Sequence, residues 1–286
     1  MESKNSKTPK GKLLIIGGNE AKNPSEDNNQ SSNREFQSGI LSELINLQGT
    51  KEARIEIIPA ASSIPEEVSK DYIEAFGKLG LTNVGIIRID ELNTADSQEN
   101  IEKLKNASVV FLTGGDQVLL AKKLMNTILL KSIKEKYFKE ENFIIAGTSA
   151  GAMAMSTPMI YAGNKDVQQI GGEIKITTGL EFLKDVCIDT HFVDRSRFVR
   201  MAQVVETNPG CIGIGIEEDS AIVVRNGIEA EVIGSGLITI IEGFYIREAN
   251  INEFTDKKLM SVRDLKVHLL GKGQKYTIPQ ANPPHH

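Results

Sequence analysis

Residues 143–156, FIIAGTSAGAMAMS, pass from an apolar run through a glycine-flanked turn into small residues that favour helix. An apolar run without alternation reads as a strand buried on both faces, and the Ala- and Met-rich sequel reads as a helix. The serine between them has two explanations. G-x-S-x-G at a strand-to-helix junction is the geometry of a nucleophile elbow, in which the glycines permit a sharp turn and Ser149 projects its hydroxyl. The same small residues also suit close packing of a helix on a strand, with Ser149 as its cap. The pentapeptide alone does not choose between them.

The flanking chain repeats the strand-then-helix pattern. KLLIIGG (12–18), ARIEIIPA (53–60), VGIIRI (84–89) and SVVFLTGG (108–115) read as strands. Amphipathic helical segments lie between them: one carrying Phe36, Ile40, Leu41, Leu44 and Ile45, one opening at Pro65, and others near 97–105, 117–125 and 129–139. Continuous apolar strands alternating with helices imply an α/β fold with a mostly parallel central sheet and helices on both faces. Chemistry in such sheets gathers at the carboxyl ends of the strands, here GGNE (17–20), TGGDQ (113–117) and GTSAG (147–151). The polar segment 19–33 is too long for a simple connector and is expected to be a functional loop or flap. Beyond about residue 157 the chain turns β-rich, with tight turns such as the Asn-Gly hairpin of VVRNGIEAEVIG (223–234). No linker or repeat divides the halves, so 12–279 is expected to be a single domain between a disordered tail (1–11) and a flexible one (280–286).

Composition narrows the function classes. The 286 residues are 40% hydrophobic and 25% charged, with net charge −5. That is ordinary globular composition, it offers no basic patch for nucleic acid, and no run approaches a membrane span. Two cysteines give no disulfide framework, and the polar start has no signal-like apolar region, so a cytoplasmic location is expected. No Cys/His/Asp cluster has metal-ligand spacing and there is no phosphate-binding glycine fingerprint, so no cofactor and no metal are expected.

A serine becomes nucleophilic only when a base takes its proton and donors hold the resulting oxyanion. The N–H of Ala150 is one candidate donor and that of Gly115, at the end of the preceding strand, is the second. His285 and His286 are terminal and His268 lies in the late strand KVHLL, which leaves His191 in CIDTHFVDRSRFVRM as the main candidate base. An acidic partner for it is available in GIGIEEDSAIVV, where Glu217, Glu218 and Asp219 crowd a turn between strands. Periodicity does not choose among the three.

The ordered set FLTGGDQ, GTSAGAMAMS, DTHFVDRSR and GIGIEED resembles the cyanophycinase branch of the serine peptidase family that also holds aspartyl dipeptidase. The likeness runs from LLIIGGNE to the strand after Glu218. It implies a class I glutamine amidotransferase-like (flavodoxin-like) fold with a β-rich C-terminal elaboration, and a triad of Ser149, His191 and Glu218. The order Ser, His, Glu differs from that of α/β-hydrolases, where the acid precedes the histidine. Arg197 and Arg200 are spaced to share a helix face, and on spacing alone a solvated surface pair is the simpler reading. The resemblance makes them substrate-binding instead, together with Arg195, Gln117 and Asp189. Thr190 departs from the family, whose cyanophycinases carry glutamine before the histidine.

The activity implied is serine exopeptidase cleavage of cyanophycin, a poly-aspartate bearing arginine on each β-carboxyl group, to β-Asp-Arg. The alternatives are a dipeptidase for aspartyl or isoaspartyl peptides and a silent amidotransferase-like binding protein. The resemblance further implies a homodimer whose partner in catalysis is a peptide or the polymer; from charge and composition, neither nucleic acid nor membrane is expected as a partner.

Overall fold

Strands β1 (Lys12–Ile16), β2 (Ile55–Ile58), β3 (Val84–Ile86), β4 (Val109–Leu112) and β5 (Ile144–Thr148) pair in parallel in the spatial order β3-β2-β4-β5-β1. The structure is a computed structural model and describes residues 8–22, 39–90, 94–163, 174–249 and 261–279. Successive side chains on these strands face opposite ways, and the core divides accordingly. Leu14, Ile16, Ile55, Ile57, Phe111 and Ala146 pack with Leu41, Leu44, Tyr72 and Phe76 on one face. Leu13, Ile15, Ile58, Val110, Leu112 and Ile145 pack with Leu104, Leu120, Leu124 and Ile133 on the other. Helices Glu43–Gln48 and Pro65–Lys78 thus cover one face, and Gln98–Asn106, Gln117–Leu124 and Ile128–Lys139 the other. The expected strand 84–89 contracts to the three residues of β3, at the edge of the sheet.

The β-rich second half builds more than an appendage. Ser220–Arg225 pairs antiparallel with β1, and Glu229–Gly234 and Lys275–Thr277 extend the sheet to eight strands. The Asn-Gly hairpin has both turn residues at positive φ, 55° for Asn226 and 74° for Gly227, as its tight turn requires. A second sheet of six strands runs in the order Lys266–Leu270, Ile238–Glu242, Ile212–Ile216, Val186–Thr190, Ser156–Thr157, Leu183–Lys184. Within it Val186–Thr190 and Ile212–Ile216 are parallel, so their carboxyl ends emerge together. Ile188, Ile214, Ile216 and Ile240 of this sheet share one apolar cluster with Leu13, Ile15 and Ile145 of the first.

Of the expected segments, 1–7, 23–38 (with Phe36 and most of the long polar loop) and 280–286 lie outside the described residues. Gly11 is tied in, its N–H donating to Tyr137 O at 2.8 Å. No helix among the described residues is long and apolar enough to cross a membrane.

Cys187 and Cys211 are free and buried. Burial pushes the Cys187 thiol well above its ordinary range and that of Cys211 up to about 12. A thiol reacts as its thiolate, so titration with a disulfide reagent is expected to detect no fast thiol in the native protein and two after denaturation. Fast native reaction at either would contradict this packing.

Candidate active site

Two strand registers assemble the site. In the first sheet Ile16 lies opposite Thr148, which sets Gly17 and Gly18 beside Ser149. In the second, Thr190 lies opposite Ile216, which sets His191 beside the acidic turn 217–219. All four segments leave the carboxyl ends of their strands, where a parallel sheet opens a crevice. Backbone bonds weld them together: Ser149 N–H donates to Ile16 O at 3.1 Å, His191 N–H to Gly17 O at 3.1 Å, and Asp219 N–H to Gly18 O at 3.0 Å.

Ser149 sits between β5 and the short helix Ala150–Ala154 at φ 50° and ψ −115°, a sparsely populated conformation for a residue with a side chain. Its Oγ lies 2.9 Å from His191 Nε2. His191, itself at φ 48° and 8% exposed, places Nδ1 2.5 Å from Glu218 Oε1. An ionised carboxylate only accepts, so Nδ1 carries the imidazole proton and Nε2 offers its lone pair to the serine hydroxyl. The hydrogen bond from His191 is the chief cause holding the Glu218 carboxyl below its usual range, against a smaller opposing effect of burial.

The structure separates the three acidic residues that periodicity left open. Glu217 Oε2 accepts from Leu237 N–H at 2.9 Å and Asp219 Oδ2 from Ser235 Oγ at 2.9 Å, while Glu218 faces the histidine. His268 is engaged elsewhere, 3.0 Å from Glu242.

Gly18 explains why the first strand ends in paired glycines. At φ 101°, it lies against the imidazole so closely that a Cβ there would come within 2.5 Å of His191 Cε1 and 2.6 Å of Nε2. Across the cleft, a Cβ placed on Gly114 would lie 3.5 Å from Ser149 Cβ, so the loop carrying Gly115 flanks the serine. Gly115 has φ 138° and its missing side chain leaves room for Ala61 O.

A cavity of about 680 Å³ opens over these groups, lined by Asn19, Glu20, Lys22, Tyr72, Arg195 and others besides Ser149, His191 and Glu218. Arg195 is the exposed cation at its rim. The remaining residues expected to hold substrate are placed differently. Asp189 and Thr190 are fully buried and Arg200 is 9% exposed. Arg200 clamps Asp189 with Nε at 2.6 Å and a second guanidinium nitrogen, and Arg197 donates to the same carboxylate at 2.8 Å and to Thr190 O at 2.6 Å. The two arginines do share a carboxylate, but it is the protein's own, because a buried charge must be paired. Gln117 spends its amide on Ile160 O at 2.9 Å. Thr190 Oγ1 is buried without a hydrogen-bond partner among the described residues.

Four further residues, not singled out from sequence, complete the site: Asn19, Glu20, Tyr72 and Thr148. Asn19 Nδ2 donates to Glu218 Oε2 at 2.8 Å, so both carboxylate oxygens are held. Glu20, 4% exposed, accepts from Tyr72 Oη at 2.5 Å and from Thr148 Oγ1 at 2.7 Å.

The chain is similar to known proteins over most of its length. The profile of "Peptidase family S51" matches residues 28–232. A cyanophycinase of Trichormus variabilis is 30% identical over 280 residues, covering 98% of this chain and 90% of its own. One from Geminocystis herdmanii is 28% identical over 264 residues, covering 92% of each. Among solved structures, a peptidase from an acI-B1 Actinobacterium shares the fold at TM-score 0.65 and 20% identity, over 95% of this chain and 98% of its own. With the match spanning most of its length, this chain belongs to peptidase family S51 and is a serine-type peptidase.

Proposed function

We propose that the protein is a serine exopeptidase that hydrolyses cyanophycin to β-Asp-Arg through an acyl-enzyme. One observation carries this function: a serine on a strained elbow, 2.9 Å from an imidazole whose other nitrogen is held by a carboxylate. Ser149 Oγ attacks the backbone carbonyl while His191 Nε2 takes its proton. The imidazolium that forms is stabilised by Glu218. The N–H groups of Ala150 and Gly115 hold the oxyanion. The C–N bond then breaks, His191 passes the proton to the leaving amine, and the β-Asp-Arg unit departs. Water enters, gives its proton to His191 and cleaves the Ser149 ester in the same way, freeing the shortened polymer.

The cavity chemistry is consistent with such a substrate. Arg195 and Lys22 at the cleft suit the carboxylates of a β-Asp-Arg unit. Asp189, Arg197 and Arg200 act beneath the surface, fixing the turn that carries His191 and Arg195.

The spatial order β3-β2-β4-β5 matches the 2-1-3-4 core of a flavodoxin-like sheet, which supports a class I glutamine amidotransferase-like reading with serine at the elbow. Free thiols suit a cytoplasmic protein. The acidic net charge argues against nucleic acid. A homodimer rests on the family resemblance and is checked by light scattering.

The deciding assay incubates the protein with cyanophycin and with a panel of aspartyl and isoaspartyl dipeptides, reading products by mass. Release of β-Asp-Arg from the polymer is expected. Cleavage of dipeptides with the polymer left intact would replace this function by a dipeptidase.

A further inference from the structure

Residues 17–20 touch the serine, the histidine and the acidic turn. Gly18 backs the His191 ring, Asn19 holds Glu218, and Glu20 reaches Thr148, the last residue of the strand before Ser149. Glu20 takes no part in the proton transfers above, yet its carboxylate is buried at the cleft floor. Burying a charge is costly unless it is well hydrogen-bonded, and here two hydroxyls supply the bonds: Thr148 from β5 and Tyr72 from the helix Pro65–Lys78. A carboxylate only accepts, so both hydroxyl protons are forced to point at it, and bonds to an ionised acceptor are the stronger kind. Tyr72 remains protonated, its phenol pushed far up by burial first and by the neighbouring Glu20 charge second.

Thr148 is the residue immediately before the strained Ser149 and is 2% exposed. Held by Glu20, it fixes the approach to the elbow with respect to the same loop that backs the histidine. Loss of that brace removes the side-chain tie that adds to the backbone bonds of Ser149 and His191, and a small shift of Thr148 carries Ser149 Oγ off its line to His191 Nε2. We propose that Glu20 is a positioning residue: through Thr148 it sets the nucleophile against the base, without touching substrate.

This builds on the serine-hydrolase mechanism above, and its test is arranged to fail separately. The full-length protein is prepared as wild type, Glu20→Gln, Thr148→Val, Thr148→Ser and the double variant Glu20→Gln/Thr148→Val. Each is measured for kcat and KM on cyanophycin, for the rate of Ser149 labelling by a fluorophosphonate, and for melting temperature. Glu20→Gln is expected to lower kcat and the labelling rate about tenfold or more with KM within about twofold, because small misplacements of reacting groups cost rate rather than binding. Thr148→Val is expected to do the same, Thr148→Ser to retain the wild-type rate, and the double variant to be no worse than either single, since both act through one bond. A rise in KM at unchanged kcat would overturn the proposal by making Glu20 a substrate contact. Additive losses, or an unchanged labelling rate in the folded Glu20→Gln variant, would also overturn it. If the wild type labels normally but leaves cyanophycin intact, the substrate assignment fails, and the labelling rates alone decide the role of Glu20.

Discussion

Ser149→Ala is expected to lower kcat by about 10⁵-fold or more, the scale on which serine hydrolases respond to loss of the nucleophile, while the protein stays folded. The Oγ bonds the His191 ring, and losing one such bond costs about 1 kcal/mol. Alanine keeps the backbone at φ 50°, so the elbow and its strain persist. Ser149→Gly is the informative companion, because glycine adopts positive φ readily. It is expected to be as inactive as Ser149→Ala and no less stable, which would identify the strain as a feature retained for function. Thermal melts alongside turnover measurements check both. Turnover of Ser149→Ala within tenfold of wild type would remove the serine from the mechanism.

Gly18→Ala is the second large effect, on a residue that makes no bond to substrate. Its Cβ would stand 2.5 Å from His191 Cε1, and neither the backbone at φ 101° nor the buried imidazole has room to yield cheaply. The ring is therefore pushed off its line between Ser149 and Glu218. A displacement of about 1 Å costs roughly 100-fold in rate, so kcat is expected to fall by about 100-fold or more with KM little changed. The left-handed backbone adds roughly 1 kcal/mol of instability for any residue with a Cβ. Gly49→Ala separates the two effects: Gly49 has φ 69° but nothing within 4 Å of its Cβ position. It is expected to lose similar stability and keep full activity. Equal activities of the two variants would show that the Gly18 contact does not govern the histidine.

Much of this is legible in the sequence where the signal is local. GTSAG lies in a strand-turn-helix transition written in consecutive residues, and scarcity of histidine directs attention to His191. The choice of Glu218 is different in kind. Glu217, Glu218 and Asp219 look alike in a periodic reading, and it is the parallel register of Val186–Thr190 with Ile212–Ile216 that turns one of them to the ring. Tyr72 reads as one more apolar position on an amphipathic helix, because its hydroxyl matters only once β1 and β5 bring Glu20 to it. Asn19 and Glu20 sit in a polar stretch whose local pattern signals loop and nothing more. The spacing of Arg197 and Arg200 reads most simply as a solvated pair, and no spacing reveals that both fold onto the buried Asp189. The six-stranded second sheet is hidden for the same reason. Its strands are visible one by one, while their pairing joins segments far apart in the chain.

The most direct measurement treats the native protein and the His191→Ala variant with a fluorophosphonate and locates the adduct by peptide mass spectrometry. A single adduct on Ser149 in the wild type, formed at least about 100-fold faster than in His191→Ala, is the expected result. An adduct on any other residue, or equal rates in the two proteins, would contradict activation of Ser149 by His191.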